Sequence, residues 1–241
     1  MPRPTFITGT DTGVGKTFVG GGICLLARKA RLRIGVMKPV ETGCKEHRGK
    51  LLPADAAFLS THAEEPEDSL DDICPYRFAP PISPETAARE AGVKIDLGKI
   101  RGHFEKIASG KDLVIVEGAG GLLAPISEKE TMADMAKALK AQVLVVVGSK
   151  LGCINHALLT LSELERRKLS VAGLILNEAS RSQNDFSLAT NAKDLARHTR
   201  APIFGTLPPA PESPEVIKPF AYRKHFEDHL DTAALLAALQ R

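Results

Sequence analysis

Three observations predict a doubly wound, mainly parallel α/β sheet with helices on both faces. Short β-branched runs alternate with longer helical patterns, as parallel strands joined by crossover helices do. Several runs are apolar at consecutive positions, as strands covered on both faces must be. The chemically distinctive residues then fall at the carboxyl ends of these runs, where such a sheet gathers its ligands.

The first strand is TFITG (5–9), which enters a glycine-rich loop and a helix over about 17–30. RIGVMKPV (33–40) is the second strand, ending in a lysine and a proline. Region 41–96 breaks the alternation, because Pro53, Pro66, Pro75, Pro80, Pro81 and Pro84 divide it into short pieces, among them the helix-like PADAAFLSTH and ETAAREAG. It reads as an excursion over the strand ends, so 1–241 is expected to be one domain. A helix over about 97–109 leads to the strand DLVIVEG (112–118), and a helix over 131–140 leads to QVLVVVG (142–148). The helix over 154–168 carries Leu158, Leu161 and Leu164 at helical spacing and precedes VAGLILN (171–177). A helix over 186–198 precedes the last strand, APIFGTL (201–207). The terminal LDTAALLAALQR, apolar on one face without a Lys/Arg cluster opposite, reads as a closing helix rather than a membrane-surface one.

Composition excludes several classes. The net charge of +3 is small against 32 basic and 29 acidic residues, and no basic stripe suggests nucleic acid. Cys24, Cys44, Cys74 and Cys153 stand far apart with no C-x-x-C pair, in a chain too long to need a disulfide scaffold. No run has the length of a signal peptide or a membrane helix. The expectation is a cytoplasmic protein without membrane or nucleic-acid partners.

The sharpest motif is TGTDTGVGKT (8–17). A strict P-loop has glycine five positions before Gly15, where this chain has Thr10, so the stretch could be a turn that resembles a phosphate cradle. Its Gly-Lys-Thr nevertheless opens a helix directly after a strand, where N–H groups and the positive helix end face an anion. In that arrangement Lys16 reaches the outer phosphates and the Thr17 hydroxyl meets Mg²⁺. Lys38 ends the second strand, and alone it would read as an exposed strand-end lysine. The tail EGAGG (117–121) puts Glu117 where a metal-linked carboxylate is needed, followed by small residues that let backbone approach a ligand. Asp55 in PADA is either a further metal carboxylate or a helix N-terminal aspartate favoured by the dipole.

Taken in order, TGTDTGVGKT, KPVETG, PADA, EGAGG and KLGCINHA resemble the dethiobiotin synthetases, ATP-dependent cyclo-ligases of biotin biosynthesis with the P-loop NTPase type of α/β fold. In that family the loop begins TGTDT, so a threonine at position 10 belongs to the pattern. The resemblance implies that 7,8-diaminopelargonate, CO₂ and ATP give dethiobiotin, ADP and phosphate. One amine captures CO₂ as a carbamate, its oxygen attacks the γ-phosphate to form a carbamic–phosphoric anhydride, and the other amine closes the ring. It also implies roles. Lys38 and Lys16 would be catalytic, and Thr17, Asp55 and Glu117 would hold Mg²⁺. ATP would lie against Gly13, Val14, Gly15, Lys16 and Thr17, against Asp55, and against Glu117, Gly118, Ala119 and Gly120. Asn177 would bond the adenine under a cover of Pro208, Pro209 and Ala210, a stretch that a proline-rich surface loop would equally explain. Thr12, Lys38 and Thr42 would touch substrate, while Gly152, Cys153, Ile154 and Asn155 would hold its carboxylate across a homodimer interface.

The chain departs from the family at Gly13, where some members carry glutamate, and at Glu178, in place of a more usual aspartate. Cys153 is expected to pack rather than react, and the lone His156 to be structural. Two rivals share the architecture. A switch ATPase of the partition or division-site type would carry a second lysine early in the loop, where Thr10 to Thr12 stand here. A corrinoid amidoligase would need room for a glutaminase domain.

Overall fold

The computed structural model describes residues 2–66, 69–178, 185–210, 212 and 216–241. Its centre is a six-stranded sheet of β1 (Thr5–Gly9), β2 (Ile34–Met37), β7 (Leu113–Gly121), β8 (Gln142–Gly148), β9 (Val171–Asn177) and β10 (Ile203–Leu207), in the order β10-β9-β8-β1-β7-β2. Every pairing in it is parallel. All of β1 and β2 and the first six residues of β7 are buried, so helices cover both faces, as their unbroken apolar runs require. β1 is central: Thr5 stands opposite Ile115 on one side and Gln142 on the other. Chain order reverses about this strand, which places a crevice at its carboxyl end.

α1 (Lys16–Lys29) follows β1 directly and packs against α2 (Ala54–Ala63), α9 (Pro219–His229) and α10 (Thr232–Leu239). Three consecutive glycines make this possible. A Cβ on Gly20 would come within 2.8 Å of Leu59, one on Gly21 within 2.5 Å of Phe58, and one on Gly22 within 2.2 Å of the Phe226 ring. α10 is capped by Asp231, and its last carbonyls Ala238 and Leu239 accept from the buried Gln142 amide at 3.0 Å, which ties the C-terminus to β8. Elsewhere α5 (Leu97–Ala108), capped by Asp96, packs beside α6 (Met132–Ala138), and α7 (Cys153–Arg166) beside α8 (Asn191–Ala196).

The second strand stops at Met37, earlier than the expected 40, because Pro39 has no N–H for a ladder. Beyond it β3 (Val40–Thr42) pairs in parallel with β6 (Tyr76–Phe78) in a separate small sheet, and β4 (Lys45–His47) and β5 (Lys50–Leu52) form a hairpin. α3 (Leu70–Ile73) and α4 (Pro84–Glu90) fill the rest of this excursion. The helix expected over 186–198 is split into a 3₁₀ turn at Phe186–Ala189, started by the Asp185 side chain that accepts the Ser187 N–H, and α8, with the non-helical Thr190 between them. α9 is an element that periodicity did not reveal. Among the described residues, no helix is long and apolar enough to cross a membrane.

Candidate active site

The loop between β1 and α1 is stitched to the neighbouring strand ends. Thr10 donates its N–H to Val146 O at 3.0 Å and accepts the Gly148 N–H on its hydroxyl at 3.2 Å. Threonine at this point therefore anchors the loop to β8, a bond the glycine of a strict P-loop could not make. The Asn177 amide nitrogen donates to Val14 O at 2.8 Å, a second tie, to β9. Gly13 and Gly15 have φ of +73° and +90°, left-handed conformations that side chains resist. Space is open where a Gly13 Cβ would stand, so backbone conformation rather than crowding fits glycine there. The loop is thus held by bonds of the chain itself, with Gly15 leading into the first turn of α1.

Beside it lies a cavity of about 320 Å³, into which the chain brings Thr12, Gly13, Gly15, Lys16 and Thr17 from the loop, Lys38, Val40, Glu41 and Thr42 from the end of β2 and from β3, Asp55 from α2, and Glu117, Ala119 and Gly120 from β7. Lys38 is buried, not the exposed strand-end residue that its position alone would suggest. Its Nζ lies 2.5 Å from Glu117 Oε1, 3.1 Å from Asp55 Oδ2 and 3.4 Å from Gly118 O. Burial works to lower the Lys38 pKa, but the Glu117 and Asp55 carboxylates outweigh it and hold the ammonium above the usual lysine range. Lys16 goes the other way: burial, then repulsion from Lys38, lowers it to about 8. One lysine is locked as a cation while the other waits for an anion.

The donor set fits a hard divalent cation. Glu117 Oε1 accepts from the Thr17 hydroxyl at 2.9 Å as well as from Lys38, while Glu117 Oε2 is buried without a hydrogen-bond partner among the described residues. Such an orphaned oxygen costs about 1–3 kcal/mol unless something satisfies it. With the Thr17 hydroxyl and Asp55 nearby, only oxygen donors are offered, the chemistry that Mg²⁺ prefers. Asp55 is in the first turn of α2, as its helix-start reading expects, and it also pairs with Lys38 in the cavity.

Val14 and Gly118 do not line this cavity, and the other expected residues form two groups outside it. Asn177 and Pro208, Pro209 and Ala210 stand at the ends of β9 and β10, on the loop's other flank, where the Pro208 carbonyl accepts from His225 Nε2 at 3.1 Å. Gly152, Cys153, Ile154 and Asn155 begin α7 and do not line the cavity. The Cys153 side chain is fully buried, its thiol pKa raised by that burial, as a packing residue's would be. No group of three or more His, Cys, Asp or Glu that could hold a metal occurs among the described residues, around His156 or elsewhere.

Sequence reasoning missed Glu41. Both of its oxygens accept backbone N–H groups of α2, from Asp55 and Ala56, each at 3.0 Å. The available signal was Pro53 at the N-cap of α2, which offers no side-chain acceptor and leaves those N–H groups to find one elsewhere.

Residues 3–216 match the model of a family described as an AAA domain. The chain is 40% identical over 215 residues to the ATP-dependent dethiobiotin synthetase of Thermodesulfovibrio yellowstonii, covering 86% of this chain and 89% of that one. The chain belongs to the dethiobiotin synthetase family. The synthetase of Anaeromyxobacter dehalogenans is 42% identical over 87% of this chain and 92% of its own, and that of Pseudomonas aeruginosa 38% over 84% and 88%. Among solved structures, the septum site-determining protein MinD of Pyrococcus horikoshii, complexed with Mg-ADP, superposes with a TM-score of 0.56 over 100% of this chain and 94% of its own at 14% identity. A ParA family ATPase from Chlorobium tepidum gives 0.54 over 99% and 97%, also at 14%. These two structures share the fold at 14% identity, while the synthetases share the sequence as well.

Proposed function

We propose that this dethiobiotin synthetase family member closes a cyclic urea on 7,8-diaminopelargonate with CO₂ and ATP, releasing ADP and phosphate. The observation that carries the reading is the buried Lys38, held between two carboxylates in the same cavity as Lys16 of the phosphate loop. An anionic carbamate must approach an anionic γ-phosphoryl group, and a fixed ammonium in a dry site lowers the cost of that approach. Lys16 neutralises the phosphates, and Lys38 faces both reacting groups. Thr17, Asp55 and Glu117 would hold Mg²⁺, which supplies further neutralisation of the phosphate oxygens. Thr12 and Thr42 line the same cavity and would orient the diamine, while Gly13, Gly15, Ala119 and Gly120, which line it too, would let backbone come close to the nucleotide beside Val14 and Gly118. Asn177 and 208–210 would receive the adenine on the loop's other flank.

The synthetase is read as one P-loop unit that works as a homodimer. Support for the dimer comes from α7 and its approach: Leu151, Asn155 and Leu159 are exposed at four-residue spacing, and Phe186, 90% exposed, follows the Asp185 that accepts the Leu151 N–H. Four free, buried cysteines fit a reducing cytoplasm. Incubation with the diamine, bicarbonate, Mg²⁺ and ATP should give dethiobiotin with phosphate release that depends on the diamine. Phosphate release independent of the diamine, with no dethiobiotin, would overturn the reading in favour of a switch ATPase.

A further inference from the structure

We propose that Glu41 is a positioning residue, whose carboxylate fixes the first turn of α2 so that Asp55 faces the Lys38–Glu117 pair and the divalent cation. The inference rests on the metal–nucleotide reading above. Glu41 is buried on β3 between the cavity residues Val40 and Thr42, three residues from Lys38. One oxygen takes the Asp55 N–H and the other the Ala56 N–H, a two-point grip on the helix. The backbone of Asp55 is thus held by Glu41 and its side chain by Lys38, one on β3 and the other just before it. Asp55 is the one candidate metal residue that comes from the excursion rather than from the main sheet or its phosphate loop, so its placement depends on how α2 is docked.

A cap for stability alone has a cheaper form. Serine or aspartate at position 53, the N-cap itself, would satisfy the same donors locally. Glu41 instead buries a carboxylate that forms no salt bridge among the described residues, and burial raises its pKa while the Ala56 and Asp55 N–H groups work to lower it. What the distant cap adds is a rigid link between the cavity wall and the helix that carries Asp55. Outer groups that orient metal-binding side chains typically change metal affinity about 10–100-fold when removed.

The test measures Mn²⁺ binding by electron paramagnetic resonance in the presence of ADP, without the diamine, on the full chain. Glu41→Ala should weaken Mn²⁺ binding about 10–100-fold. Glu41→Gln, which keeps one carbonyl acceptor, should weaken it less, with the melting temperature little changed. In an Asp55→Ala background Glu41→Ala should cause no further loss, because it acts through Asp55. Unchanged Mn²⁺ affinity in Glu41→Gln and Glu41→Ala, or losses that simply add to that of Asp55→Ala, would overturn the proposal. Should Glu41→Ala fail to fold, Glu41→Gln decides by the same affinity. The absence of diamine keeps this outcome separate from the ligase reading, which fails only if the unaltered chain makes no dethiobiotin.

Discussion

At the scale of single residues, the two lysines of the cavity make opposite predictions. Lys38→Ala should lower kcat about 10²–10³-fold while Mg·ATP still binds through Lys16 and the loop backbone. Lys38→Gln should be similarly impaired, since length without charge cannot replace the field. Because Lys38 and Glu117 are buried together, removing one partner should also destabilise the ligand-free protein by about 3–5 kcal/mol, read by denaturant melts. Near-normal kcat in folded Lys38→Ala would remove it from catalysis. Lys16 predicts a pH dependence. Its ammonium is charged below about 8 and neutral above, so affinity for ADP should fall up to about tenfold per pH unit above that point, measured by titration calorimetry. A flat profile from pH 7 to 10 would contradict this. Lys16, Thr17 and Lys38 were legible because each stands at a helix start or just past a strand, and Glu117 because it interrupts the apolar run of β7 at its fifth residue. Glu41 was not, because a cap supplied by a residue fourteen positions away leaves no mark in the helix it serves beyond an unhelpful Pro53.

At the scale of elements, the six main strands were legible because parallel, doubly covered strands write continuous apolar runs. What escaped were the parts whose form depends on distant partners. β3 and β6 are three residues each and exist through pairing with one another across the excursion. α9 has charged residues among its aromatics, so its amphipathicity is weak, and its place is set by contact with α1. That contact gives a prediction in which two effects compete. Alanine for Gly22 would favour the helix by roughly 1 kcal/mol. Its Cβ would stand 2.2 Å from the Phe226 ring, and overpacking costs about 1–3 kcal/mol, so Gly22→Ala should be destabilising overall. A rise in melting temperature would show that α9 moves aside freely. In Asp96→Ala, by contrast, only the α5 cap is lost, and stability should fall about 0.5–2 kcal/mol with kcat unchanged.

At the scale of the whole molecule, the homodimer reading predicts that light scattering at assay concentration gives twice the chain mass, and that Leu159→Asp, on the exposed stripe of α7, shifts it toward monomer with loss of diamine affinity. A fully active monomer would sink both the dimer and a carboxylate site across it. The glycine run of α1 carries a different consequence, one of timing. Glycines are poor helix formers, so α1 is weak by itself and draws its support from α9, where the Tyr222 hydroxyl donates to Phe18 O across 204 residues of chain. During synthesis at about 5–20 residues per second, that interval lasts roughly 10–40 s. β1 waits as well, since its partners β7 and β8 lie more than a hundred positions downstream. The nucleotide loop is therefore made long before it becomes competent, and a chain lacking 219–241 should not bind Mg·ADP, as titration calorimetry would read.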